Sequence, residues 1–210
     1  MRAVRRFIAI VILAGIGWRF PLFHVVPLTT ATAEKVATTF NATEFVDNFW
    51  TNQLLADFGK TVTADLLIPA IQAEPAAAKK HFARSLGLSE SYFYFVSGRG
   101  RVVAISDDEV SLAITKGSTN TEVSLQTGLV FGNALRDGTG LLNASDYPNS
   151  QDFNDLSAAL NHLVETRVLP KLKEQAKVGA TISFVGCAEV DDEATDLKPL
   201  KVTPVETSTE

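Results

Sequence analysis

The sequence predicts an α+β fold, in which a helical stretch precedes a small β-barrel that one long helix closes. Three observations predict it: apolar residues at helical spacing between residues 41 and 88, short β-branched and aromatic runs from Tyr92 onward, and one long apolar stripe from Phe153 to Ala176. The chain has 210 residues and 46% of them are hydrophobic, which is enough to bury a core.

From Asn41 to Gly59, Phe45, Phe49, Trp50, Leu54 and Phe58 recur at helical spacing, and Asn41 with Glu44 forms an N-terminal capping pair. Val62, Leu66, Leu67 and Ile71 continue the pattern as a second segment that Pro69 strains, and Pro75 opens a third that Gly87 closes. Residues 34–88 are therefore expected as a helical domain. Strands follow at Tyr92–Val96, Arg101–Ser106, Glu109–Thr115 and Thr121–Leu125. Ser97 to Gly100 is expected as the turn of a hairpin between the first two, and Gly128 to Phe131 as a further short strand.

A helix is expected at 150–177, with Asn149 and Asp152 at its start, a kink at Pro170 and Gly179 just past its end. Thr181–Val190 and Leu200–Val205 are the last strands, with the acidic stretch Asp191 to Lys198 between them as a solvated loop. Several strands, one helix and two strands follow the order of an OB-like barrel in which the helix plugs one end. Residues 89–206 are read as that domain.

The leader sets the compartment. Arg2, Arg5 and Arg6 precede an uncharged apolar run from Phe7 to Trp18, the charged and apolar parts of a secretory signal. At 1.5 Å per residue the run is too short for a hydrocarbon core of roughly 30 Å. Residues 1–30 are expected to be a signal peptide or, since Phe20 to Leu28 prolongs the apolar character, an N-terminal anchor in contact with the membrane. The chain is thus expected in the periplasm or cell envelope, exported, with a tether to the inner membrane if the segment is retained.

Charge narrows the partners. With 19 Lys and Arg against 24 Asp and Glu, the formal net charge is -5, which speaks against a phosphate-binding surface and hence against nucleic acid. Cys187 is the single cysteine and has no partner for an internal disulfide; among Val185 and Ala188 it reads as packing material.

The densest polar stretch, Gly132 to Asn154, supplies the candidate ligand-binding residues Asn133, Arg136, Asp137, Asp146, Tyr147 and Asn149. Amides, carboxylates and an arginine fork read sugar hydroxyls, and Tyr147 with Phe153 offers a flat apolar face to a sugar ring. The same residues also fit structural work: Asn133 and Asp137 capping turns, Arg136 paired with Asp137 or Asp146, and Asn149 capping the helix. His24, His81 and His162 are too scattered for a triad, and His162 with Glu165 makes only two metal ligands. Gly98 and Gly100 form a lone G-x-G without the strand, glycine pattern and helix that a phosphate cradle needs. No serine stands in a G-x-S-x-G elbow. No catalytic residue, metal or other cofactor is expected.

Taken together, Phe23 to Leu28, Phe45 with Trp50, Tyr92 to Val103, Phe131 to Asp137, Asp146 to Phe153, Leu160 with Asn161, and Val178 to Cys187 make the chain resemble the DUF2291 family of predicted periplasmic lipoproteins. The resemblance implies a bacterial envelope protein, often encoded beside sugar uptake systems of the ATP-binding cassette type, with no established biochemical activity. Where a lipidated member carries cysteine in the segment Leu13, Ala14, Gly15, this chain has Ile16, which removes the thiol that would hold a lipid. The expected function is therefore a non-catalytic binding or accessory module, with components of a sugar uptake system and a small sugar-like ligand as partners. Two alternatives stay open: a structural envelope protein with no small ligand, and a hydrolase working through carboxylates such as Asp137 and Asp146.

Overall fold

The computed structural model describes residues 40–85 and 90–209. Helix α1 (Ala42–Phe49) starts where Asn41 accepts the N–H of Glu44 on its side-chain oxygen at 3.2 Å, the capping pair expected from the sequence. It continues as a widened turn, Trp50–Leu54, and a 3₁₀ turn, Leu55–Lys60. The short strand β1 (Val62–Thr63) leads into α2 (Ala64–Ala73), which accommodates Pro69, and Pro75 stands in the first turn of α3 (Pro75–Phe82), where its missing N–H has no partner to lose. A two-residue strand, β2 (Arg84–Ser85), follows. The expected leader and the stop at Gly87 lie outside the described residues.

Strand β3 (Tyr92–Ile105) corrects one expectation: Ser97 to Gly100 is not a turn, and the chain runs through it as one strand of 14 residues. The glycines answer to packing. A side chain at Gly98 would place its Cβ 2.7 Å from that of Ala64 and 2.9 Å from the Phe184 ring, and at Gly100 2.9 Å from Leu112 and Ile114. Absent side chains let α2 and the barrel interior close over the strand, the close-approach role of glycine in a strand rather than its turn role.

The length of β3 lets it serve two neighbours within the barrel, beside its short pairings with β1 and β2. Tyr92 to Arg101 pairs antiparallel with β6 (Thr181–Val190), and Arg101 to Ile105 pairs with β4 (Glu109–Ala113), with a register shift between Val102 and Ala104. β4 pairs with β5 (Val123–Gln126), β5 runs parallel to β7 (Leu200–Thr209), and β7 returns antiparallel to β6. The circuit β3-β4-β5-β7-β6-β3 closes, which is an OB-like barrel. Gly128 to Phe131, expected as a strand, is an extended loop instead.

Between β5 and β6 lie α4 (Ala134–Gly138), a 3₁₀ turn at Ala144–Asp146, α5 (Ser150–Leu163) and α6 (Leu169–Gln175). The single helix expected at 150–177 is interrupted at Val164–Val168, where the Leu169 N–H reaches back to the carbonyl of Val164. Pro170 next in line has no N–H and a ring that crowds the preceding turn, so the widened turn makes room for it. A last short helix, α7 (Glu193–Asp196), sits in the acidic β6–β7 connection.

Val102, Val110, Leu112, Val123, Leu125, Ile182, Phe184 and Val202 fill the barrel, and Leu172 from α6 joins them as the plug. Ala64, Leu67, Ile68 and Ile71 of α2 and Ala78 of α3 belong to the same cluster. α1 packs on α5 instead. Residues Asn41–Glu210 form one compact unit.

Candidate functional site

The polar stretch expected to hold a ligand divides into three separate pieces of structural work. Arg136 and Asp137, only 7% and 6% exposed, face each other through two hydrogen bonds, Nε to Oδ1 at 2.6 Å and a terminal nitrogen to Oδ2 at 2.8 Å. The other terminal nitrogen of Arg136 donates to Asn154 Oδ1 at 3.1 Å and the Phe153 carbonyl at 3.4 Å, and the guanidinium lies 4.0 Å from the centroid of the Phe153 ring. Both carboxylate oxygens and all three guanidinium nitrogens are thus engaged in fastening α4 to α5. Arg136 takes Asp137 rather than the exposed Asp146 as its partner.

Asn133 precedes α4 and accepts the Ser157 hydroxyl at 2.8 Å. Asn149 caps α5, accepting the Asp152 N–H at 2.8 Å and donating to its carboxylate at 2.9 Å. Tyr147 wedges between Phe45, edge-on at 6.0 Å, and Phe153 at 5.4 Å, tying α1 to α5. Desolvation and the neighbouring Asp146 carboxylate raise its hydroxyl pKa. Five of these six side chains thus hold neighbouring elements together.

A different place is open. At the mouth of the polar stretch, a cavity of about 290 Å³ is bounded by Phe131, Gly132 and Ala134 on one side and by Gln126, Glu189, Lys201 and Thr203 from three strands on the other; Asp191 and Asp196 complete it. Barrel closure brings these together. Thr203 donates to Gln126 at 2.6 Å, and Lys201 donates to Asp196 at 3.0 Å. The second oxygen of Asp196 accepts the N–H groups of Asp191 and Asp192 at 3.1 and 2.9 Å. Burial works against its charge, but these N–H groups and Lys201 outweigh it and lower its pKa. Glu189 shifts the other way: burial, with the Asp191 and Asp137 carboxylates nearby, raises it against the pull of the Asn133 N–H.

The loop at the mouth of the cavity is fastened along its whole length. The Thr127 and Gly128 N–H groups donate to the Asp108 carbonyl at 2.7 and 3.2 Å, Val130 N–H donates to Glu165 at 2.9 Å, and Asn161 donates to the Gly132 carbonyl at 3.1 Å. Asn133 N–H donates to Glu189 at 3.1 Å. Gly132 has φ +83, and a Cβ there would come within 2.7 Å of the Glu189 carboxylate, so only glycine lets the loop close against it. Val130 is buried while Leu129 and Phe131 on either side are 74% and 76% exposed.

The other candidates are accounted for. Cys187 is buried, and desolvation pushes its thiol pKa far up, away from reactivity. Glu165 is occupied by Val130, and among the described residues no group of three or more His, Cys, Asp or Glu is placed to hold a metal. No described helix is long and apolar enough to cross a membrane.

Sequence reading passes over Gln126, Glu189, Lys201 and Thr203 and takes Asp191 and Asp196 for part of a solvated loop. One signal was present: Glu189 is the single charge within the strand Thr181–Val190.

An OB-fold protein from Thermotoga maritima, known from a crystal structure, superposes with a TM-score of 0.72 at 23% identity, covering 82% of this chain and 100% of that one. That likeness concerns the fold. No curated protein matches. The family model for DUF2291, described as predicted periplasmic lipoprotein, matches residues 7–208, nearly the whole chain. By that match, the chain belongs to the DUF2291 family of predicted periplasmic lipoproteins.

Proposed function

We propose that this protein is a non-catalytic accessory module of the cell envelope that acts by docking a partner protein, in the setting of a sugar uptake system of the ATP-binding cassette type. One observation carries the docking reading: a loop pinned at both ends and in the middle holds Leu129 and Phe131 out into solvent beside an acidic cavity. Isolated exposed apolar residues are ordinary on protein surfaces. Here the fastened loop holds both out, which forgoes about 1.5–3 kcal/mol of burial for each.

The family resemblance supplies the setting, and an N-terminal segment retained as a tether would keep the module at the inner membrane. The test is co-purification of the full chain with the solute-binding protein and permease of sugar uptake systems of the ATP-binding cassette type, in parallel for wild type and Phe131→Ser. Specific recovery that the substitution abolishes is the expected result; equal recovery by both proteins refutes the docking reading.

The cavity favours a second reading, in which a small sugar-like ligand binds there. Gln126, Thr203 and Lys201 supply hydrogen-bonding groups and Phe131 an apolar ring face. Calorimetric titration with a panel of pentoses and hexoses separates the two: saturable heat lost in Thr203→Val supports the ligand, and no heat supports a protein partner alone.

A further inference from the structure

We infer that the partner presents to this face a segment in which a lysine or arginine stands beside a large apolar side chain, the cation entering the cavity at Glu189 and the apolar group packing on Leu129 and Phe131. The inference rests on the docking reading and names the chemistry of what docks.

Charge complementarity selects the cation. Three carboxylates, Glu189, Asp191 and Asp196, line the cavity against one ammonium, Lys201, a balance of two negative charges. Asp196 and Lys201 are already joined at 3.0 Å. Glu189 donates nothing and accepts one N–H on one oxygen, so its half-buried carboxylate has capacity for a further donor. Asp191 is exposed beside it. The loop is acidic on its other flank too, where exposed Asp107 and Asp108 hold its first residues through their carbonyl oxygens. An apolar projection with an acidic surround matches an apolar recess with a basic surround.

The same charges argue against two other occupants. A second copy of this chain meeting this face through a two-fold axis would set the Glu189 and Asp191 carboxylates against themselves. A phospholipid surface would bring phosphates toward the same carboxylates, with only two apolar side chains to offset the repulsion.

The experiment places a photo-reactive phenylalanine analogue at Phe131 of the full chain in cells, with the same analogue at the exposed Val178 as the control position, and sequences the cross-linked peptides. The inference expects cross-links to a protein segment with Lys or Arg within a few residues of the joined position, and a yield about ten-fold lower when Glu189→Gln is added. Glu189→Gln keeps an oxygen for the Asn133 N–H, so its thermal unfolding reports whether the fold is intact. Cross-links to a segment without a cation, or a yield indifferent to Glu189→Gln in a folded protein, overturn the inference and leave the docking reading standing. Cross-links confined to lipid, to another copy of the chain, or no more abundant than at Val178 overturn both.

Discussion

Arg136 and Asp137 are neighbours in sequence and are buried together, with every polar atom of both groups in use. Removing the carboxylate leaves a guanidinium in a nearly dry site, so Asp137→Ala is expected to cost about 3–5 kcal/mol in urea unfolding. Replacing both, as in Arg136→Met with Asp137→Ala, is expected to recover most of that loss, because no uncompensated charge remains. Glu189 behaves differently. Its folded pKa lies above the ordinary carboxylate value, chiefly through burial, so its contribution to stability is fully present below that ordinary value and is lost as pH rises through the elevated one. Glu189→Gln is therefore expected to raise Tm at neutral pH, and the advantage over wild type to vanish on acidification toward about pH 4. Scanning calorimetry across pH checks both sign and window.

At the scale of elements, local chemistry wrote the helix boundaries and packing wrote the strands. Asn149 with Asp152 was legible because capping involves residues three apart, and Asn149→Ala is expected to cost about 1 kcal/mol by the loss of that cap. Gly98 was misread because a glycine in a turn and a glycine under a crossing helix leave the same mark in a sequence. Its reason is Ala64, more than thirty residues earlier along the chain. Gly98→Ala is accordingly expected to destabilise by about 1–3 kcal/mol through overpacking, where a hairpin turn would have tolerated the change more readily. Pro170 was read correctly as a perturbation, but its form, a widened turn ahead of α6 rather than a simple bend, depends on which carbonyls its neighbours reach.

Within the Asn41–Glu210 unit, α2 and α3 share the core of the barrel. α2 lends Leu67 and Ile71 to the same core that Leu172 plugs, and α1 lies on α5. Far-ultraviolet and near-ultraviolet circular dichroism are therefore expected to lose helix and aromatic order in one transition, and Leu67→Ala to shift both probes together at a cost of about 2–5 kcal/mol. Phe131→Ser, by contrast, is expected to change stability by less than about 0.5 kcal/mol while removing whatever docks there, since the ring touches little of its own fold.

What the amino-acid order alone determined is most of the kind and succession of the elements: periodicity, caps and prolines all act between residues a few positions apart. Asn41, Pro75 and Asn149 each do locally what their side chains dictate. The open cavity was decided by closure of the barrel. Gln126 meets Thr203 across 77 positions and Asn133 meets Glu189 across 56, so the surface they share exists only once β5, β7 and β6 lie side by side. Burial likewise decided that Arg136 fastens two helices, because a charge has the same identity in the sequence whether its fold leaves it in water or takes it out.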